Sequence, residues 1–180
     1  MASVQQAMKA KSDQLNFIDI SDGSEPILHV ESVVVTNSDQ PIAIHYVGCN
    51  GRPYKPAKCM IRVLAGAWGD ESDLWVGKYI KVFGDPTVTW AGAEQGGIRI
   101  RALSDIPKQG YTAFIQKNRS TRVKQTIPYL DMSYPTELFK EKLPAMKTAI
   151  EGGMSVDEVI ARCSQTGILS DEQIKELKGE

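Results

Sequence analysis

The stretch WVGKYIKVFGDPTVTWAGAEQGGIRIRALSDI, residues 75–106, decides how the chain folds. Its last part places Ile98, Ile100 and Ala102 on one side and Arg99, Arg101 and Leu103 on the other, the period of a half-buried strand. Upstream, Tyr79, Lys81 and Phe83 alternate with Ile80 and Val82 in the same manner. Between the two runs lie a GDP turn, a short strand Thr87–Trp90 and a glycine-rich turn, so three strands follow one another and an antiparallel sheet is expected.

Residues 27–36 (ILHVESVVVT) and 41–47 (PIAIHYV) are rich in β-branched side chains and are separated by NSDQ, which reads as a hairpin. Ala57–Trp68 repeats its apolar residues at steps of three and four, follows Pro53 and Pro56, and is closed by Gly69, which predicts a helix. Downstream, YTAFIQ and RVKQTIPYL flank KNRST and predict a second hairpin with a basic tip.

After Pro135 the pattern changes. Ser155 with Glu158, and Ser170 with Gln173, fit the capping box that satisfies free amide donors at a helix start. Together with Thr136–Glu151 they predict three short helices. The expected organisation is a flexible lead over 1–14, a β domain over 15–130, a linker over 131–135 and a helical segment over 136–180. The fold class expected is mainly β, an antiparallel barrel with one inserted helix, followed by the small three-helix segment.

Charge is segregated along the chain although the formal net charge is only -1. Between Gly96 and Leu130 there are seven basic residues and one acid, Asp105, whereas from Thr136 onward nine acids face six bases. A polyanion therefore finds a partner in the first region and not in the second. A single strand of nucleic acid needs cations that follow its backbone and aromatic rings that stack on its bases. The candidates are Arg99 and Arg101 with Tyr79 and Lys81 on the sheet, Lys117, Arg119, Arg122 and Lys124 on the basic hairpin, and Tyr54 and Lys55 with Arg52 and Lys58 in RPYKPAK.

Other chemistries find less support. His45, Cys49 and Cys59 lack a fourth zinc ligand, and Cys59 falls on the apolar side of the predicted helix, so neither a metal nor any other cofactor is expected. Asp70, Glu71, Asp73, Asp85, Glu94 and Asp105 form no nuclease motif, and no nucleophilic triad or phosphate loop is present, so an enzyme is not expected. The three cysteines show no framework spacing, and the N-terminus lacks the apolar centre of a secretory signal. A cytoplasmic protein with reduced thiols and no membrane association is the expectation.

The order of helix, WGDESDLWVGKYIKVF, D-P-x-V and GGIRIR resembles a pattern found in small bacteriophage and prophage proteins associated with replication or recombination gene clusters. The matching positions are Leu64, Gly69, Asp70, Trp75, Gly77, Lys78, Asp85, Val88, Gly97, Ile98, Arg99 and Arg101, within residues 57–106. The strand content resembles an OB-type barrel, a five-stranded fold that binds single strands. The usual OB order places the helix after a third strand, so a further strand at Leu15–Ile20 or a modified topology is required. The resemblance implies a sequence-nonspecific single-stranded DNA-binding protein of a bacterial host cytoplasm, whose helical tail meets a replication or recombination protein, with self-association also open. The alternative is a non-enzymatic interaction module, a scaffold or inhibitor that binds no nucleic acid.

Overall fold

A computed structural model describes residues 12–90, 93–116, 121–164 and 166–179. The chain forms two compact units, Met1–Leu130 and Asp131–Glu180. Among the described residues no helix is long and apolar enough to cross a membrane.

The first unit is organised around strand β1, Ile27–Val35. Its second half pairs antiparallel with β2, Ile42–Tyr46, and its first half pairs antiparallel with β3, Tyr79–Asp85. A bulge between Val30 and Ser32 separates the two halves. An extra residue in one strand sharpens its twist, and this lets a single strand serve two neighbours that diverge. β3 in turn pairs with β6, Gly97–Leu103, giving the sheet order β2-β1-β3-β6. Tyr54 extends the sheet beyond β2 by a one-residue bridge, its backbone exchanging both hydrogen bonds with Ile44 at 2.8 and 2.9 Å.

Two ribbons stand apart from this sheet. β4 (Thr89–Trp90) pairs with β5 (Ala93–Glu94), and β7 (Tyr111–Gln116) pairs with β8 (Arg122–Ile127). The expected barrel is therefore not closed among the described residues, and the chain is mixed rather than purely mainly β. Residues Phe17–Ile20, where a further strand was needed, form a 3-10 turn instead. The Leu103 end of β6 is met not by another long strand but by a parallel bridge to Tyr129.

Helix α1, Lys58–Trp68, buries Met60, Val63, Leu64 and Trp68 on one face. It ends at Gly69, whose φ of 102° is one that side chains with a Cβ rarely adopt. The core it covers includes Ile44, Ile80, Val82, Leu103 and Ile127, each wholly buried. Full burial of one such side chain stabilises by about 1.5–3 kcal/mol. Trp68 and Trp75 belong to this core, their indole N–H groups donating to the carbonyls of Ser104 and Gly69.

The N-terminal lead is only partly a lead. Residues 1–11 lie outside the described residues, but Ser12 and Asp13 are tied to Arg52 and Lys55, and the Leu15 amide donates to the Pro53 carbonyl at 3.0 Å.

The second unit contains α2 (Thr136–Glu151), α3 (Val156–Cys163) and α4 (Asp171–Lys178). Both capping boxes form, with the Glu158 amide donating to Ser155 Oγ and the Gln173 amide to Ser170 Oγ, each at 3.2 Å. Phe139, Tyr134, Val159, Cys163, Leu169 and Leu177 make its core. The segment 131–135, expected as a linker, is part of this unit. Ser133 bridges Ile168 in parallel, and the Tyr134 and Ile168 amides donate to Ile168 and Met132 carbonyls at 2.8 and 2.6 Å.

Gly167 sits against this bridge, where an added Cβ would lie 2.8 Å from the Ser133 carbonyl oxygen and from backbone atoms of Tyr134. Backbone cannot yield as a side-chain tip does, so Gly167→Ala should destabilise the helical unit by about 1–3 kcal/mol. Urea denaturation followed by circular dichroism checks this; an unchanged midpoint would show that the bridge is loose.

Candidate nucleic-acid interface

The arginine strand does not present an open cationic face. β3 and β6 pair Phe83 with Arg99 and Val82 with Ile100, but a register shift follows, so that Lys81 pairs with Ala102 and Arg101 is the extra residue. The shift also turns Leu103 inward, where it is completely buried opposite Ile80, although strict alternation places it on the arginine side. Arg101 lies over the Phe83 ring at 3.7 Å from its centroid and pairs with Glu25 at 2.8 Å. Lys81 pairs with the same carboxylate at 3.2 Å. Arg99 donates to Cys59 Sγ at 2.9 Å and stands 3.9 Å from Asp85.

The aromatic partner expected beside them is also engaged. Tyr79 stacks on His29, with ring centroids 4.3 Å apart and planes 11° from parallel. Burial, then Asp105, raises its phenol pKa. The expected group of Tyr79, Lys81, Arg99 and Arg101 is thus brought near one region of the sheet, but each cation has an acid within ion-pair distance. The acids are Glu25, which lies outside the strands, and Asp85, the last residue of β3, and neither pairing is visible in the strand alternation.

RPYKPAK is similarly occupied. Arg52 donates two guanidinium N–H groups to the Asp19 carboxylate, the shorter at 2.7 Å, and Lys55 pairs with Asp13 at 2.6 Å. Tyr54 is 1% exposed, so its ring belongs to the core and offers no stacking surface. Lys58 opens α1 and is exposed.

The β7–β8 ribbon is different. Its register pairs Tyr111 with Ile127, Ala113 with Gln125 and Ile115 with Val123 on one face, and Thr112 with Thr126, Phe114 with Lys124 and Gln116 with Arg122 on the other. Ala113 and Ile127 are buried in the core of the first unit, with Tyr111 and Ile115 packed against it. Period two then forces Phe114 outward. It is 68% exposed, the highest value among the exposed large hydrophobic side chains of the described residues. Lys124 lies directly across from it and Arg122 diagonally, and neither has an ion pair among the described residues. Lys117 and Arg119, expected at the tip, lie outside the described residues, as does the side chain of Trp90.

Phe114 is the functional candidate that sequence reasoning missed. Its signal was present in YTAFIQ, where small Ala113 alternates with a large ring whose neighbours across the ribbon are cations. Among the described residues no group of three or more His, Cys, Asp or Glu is placed to hold a metal ion.

The paired carboxylate at Glu25 yields a direct check. The Lys81 ammonium first, and then the Arg101 guanidinium, hold its carboxyl below the usual carboxylate range. A depressed acid contributes stability that is present above the ordinary Glu value of about 4.3 and lost as pH falls through the folded value. Carboxyl carbon NMR should therefore show Glu25 titrating below ordinary glutamates, and Lys81→Met with Arg101→Met should return it to their range. Titration of Glu25 with the exposed glutamates in the unsubstituted protein would show that the pairs do not form.

No protein-family model, no curated protein and no solved structure matches this chain.

Proposed function

We propose that this chain binds single-stranded DNA without strong sequence preference, through the outer face of the β7–β8 ribbon. The observation that carries the proposal is Phe114, exposed on a surface whose neighbours Lys124 and Arg122 have no ion pair among the described residues. Residues 106–130 contain five basic side chains and no acid, so no intramolecular carboxylate from this segment competes for them. A base stacks on a ring of any sequence, and phosphates to either side meet cations. Such a platform supplies affinity but little base discrimination.

The sheet supports the same reading. A long bulged strand that pairs with two neighbours, an extended third segment at Tyr54, a helix, and two further strands follow the order of an OB-type sheet, here left open with its third strand reduced to one bridge. On the resemblance stated for residues 57–106, the proposed setting is phage replication or recombination, with the acidic helical unit meeting a protein partner rather than DNA. No enzymatic step is part of the proposal.

Removing the ring in Phe114→Ala should weaken oligo-dT binding by about 1–3 kcal/mol, roughly 5- to 150-fold. Arg122→Gln with Lys124→Gln should flatten the salt dependence by about 1.4 in the log–log slope, two phosphates at ~0.7 each. Arg101→Ala should cost less than Phe114→Ala, because that guanidinium is committed to Glu25 and Phe83. Fluorescence anisotropy with labelled oligo-dT reads all three. If the unsubstituted protein ignores oligo-dT, the interaction-module reading replaces this one.

A chain ended at Leu130 should keep its oligo-dT affinity while losing the protein partner, measurable by the same titration and by pull-down. Loss of DNA binding on that truncation would contradict the separation of tasks.

A further inference from the structure

The ribbon is not the only part of the first unit whose cations lack acids. Lys58 and Arg62 on α1, and Lys108 in the turn that leads into β7, are exposed and have no ion pair among the described residues. Lys78 also lacks one, but its ammonium sits over the Trp68 ring at 5.2 Å. Apart from Arg122 and Lys124, every other lysine and arginine described in this unit is paired with a carboxylate. The open positive charge is therefore confined to two neighbouring elements, α1 and the ribbon with its leading turn.

The helical part of this surface follows from local sequence. α1 buries Met60, Val63, Leu64 and Trp68, so the opposite stripe, Lys58 with Arg62 one turn on and Gly66 after it, faces solvent. Lys58 and Arg62 are about 6 Å apart along the axis. Like charges four residues apart repel on a helix, and a neighbouring acid would offset this. The surrounding sequence supplies none: no Asp or Glu occurs between Asp39 and Asp70. At its far end the stripe reaches Gly66, where the Tyr111 hydroxyl lies against the helix. β7 begins at that tyrosine, packs beside α1, and carries Phe114 about 10 Å farther along on its outer face. A chain leaving Phe114 thus has one strand to cross before it meets the helix.

We propose that the single strand held by the ribbon continues across β7 onto the outer stripe of α1, where Lys58 and Arg62 each meet a phosphate, with Lys108 beside the crossing. This rests on the single-strand reading above and extends it from one platform to a track. Lys58, Arg62 and Gly66 include no ring on which a base can stack, so this part of the track holds the backbone and reads no sequence.

The experiment is fluorescence anisotropy of the full chain with a twenty-residue oligo-dT over a salt series, read as the log–log slope. Lys58→Gln with Arg62→Gln should lower the slope by about 1.4, two phosphates at ~0.7 each. Lys58→Arg with Arg62→Lys, which keeps both charges, should leave it unchanged. Joined to Arg122→Gln and Lys124→Gln, the first pair should bring the fall to about 2.8 by the same rule, because one strand touches both surfaces. Lys175→Gln with Lys178→Gln, on α4, should change nothing. A slope that ignores Lys58→Gln with Arg62→Gln while Arg122→Gln with Lys124→Gln lowers it would overturn the track and leave the ribbon reading standing. A combined fall no larger than that of either pair alone would also overturn the track, as would an equal fall from the α4 pair, which would show a response to net charge only. No binding of oligo-dT by the unsubstituted protein would overturn the track and the single-strand reading together.

Discussion

A two-stranded ribbon with only one packing layer can bury only one of its faces. In β7–β8 that face is fixed by Ala113 and Ile127, which lie in the core of the first unit. Helix α1 approaches closely enough that Gly66 lies against the Tyr111 hydroxyl with no room for a Cβ. Because successive side chains point to opposite faces, the choice of Ala113 and Ile127 for the core compels Phe114 and Lys124 outward. The proposed function follows from this constraint. In the proposed reading a base covers this ring and its cationic neighbours meet the phosphates to either side.

Electrostatics distinguish this surface from the arginine strand and from Arg52 and Lys55. Lys81 and Arg101 share Glu25, Arg52 is held by Asp19, and Lys55 by Asp13. Such pairs are partly exposed and contribute little to stability individually, but they reduce the positive potential that a phosphate would meet. The count of basic residues is therefore a poor guide to the binding face. What matters is which cations lack an acid: Arg122 and Lys124 do among the described residues, while the arginine strand does not.

Local patterns made much of the fold legible. The helix at Lys58–Trp68, the hairpin of β1 and β2, and the capping boxes at Ser155 and Ser170 follow from periodicity, turn residues and short-range hydrogen bonding. Features set by partners distant in sequence were not legible. The shift beside Lys81, which sends Leu103 inward and leaves Arg101 over Phe83, depends on how two strands meet. The turn at Phe17–Ile20 replaces a strand because Asn16 and Asp19 cap one another and Asp19 answers Arg52, a residue 33 positions away. The role of Phe114 is not legible because alternation shows that a strand has two faces without saying which one packs. Only the contact with α1 decides it.

The most direct test of the ribbon surface is amide NMR mapping of the full chain titrated with oligo-dT. The account predicts that the largest shift changes fall at Thr112, Phe114, Arg122 and Lys124, with smaller ones along β3 and β6. Changes concentrated on Tyr79, Lys81, Arg99 and Arg101, with the ribbon silent, would contradict it.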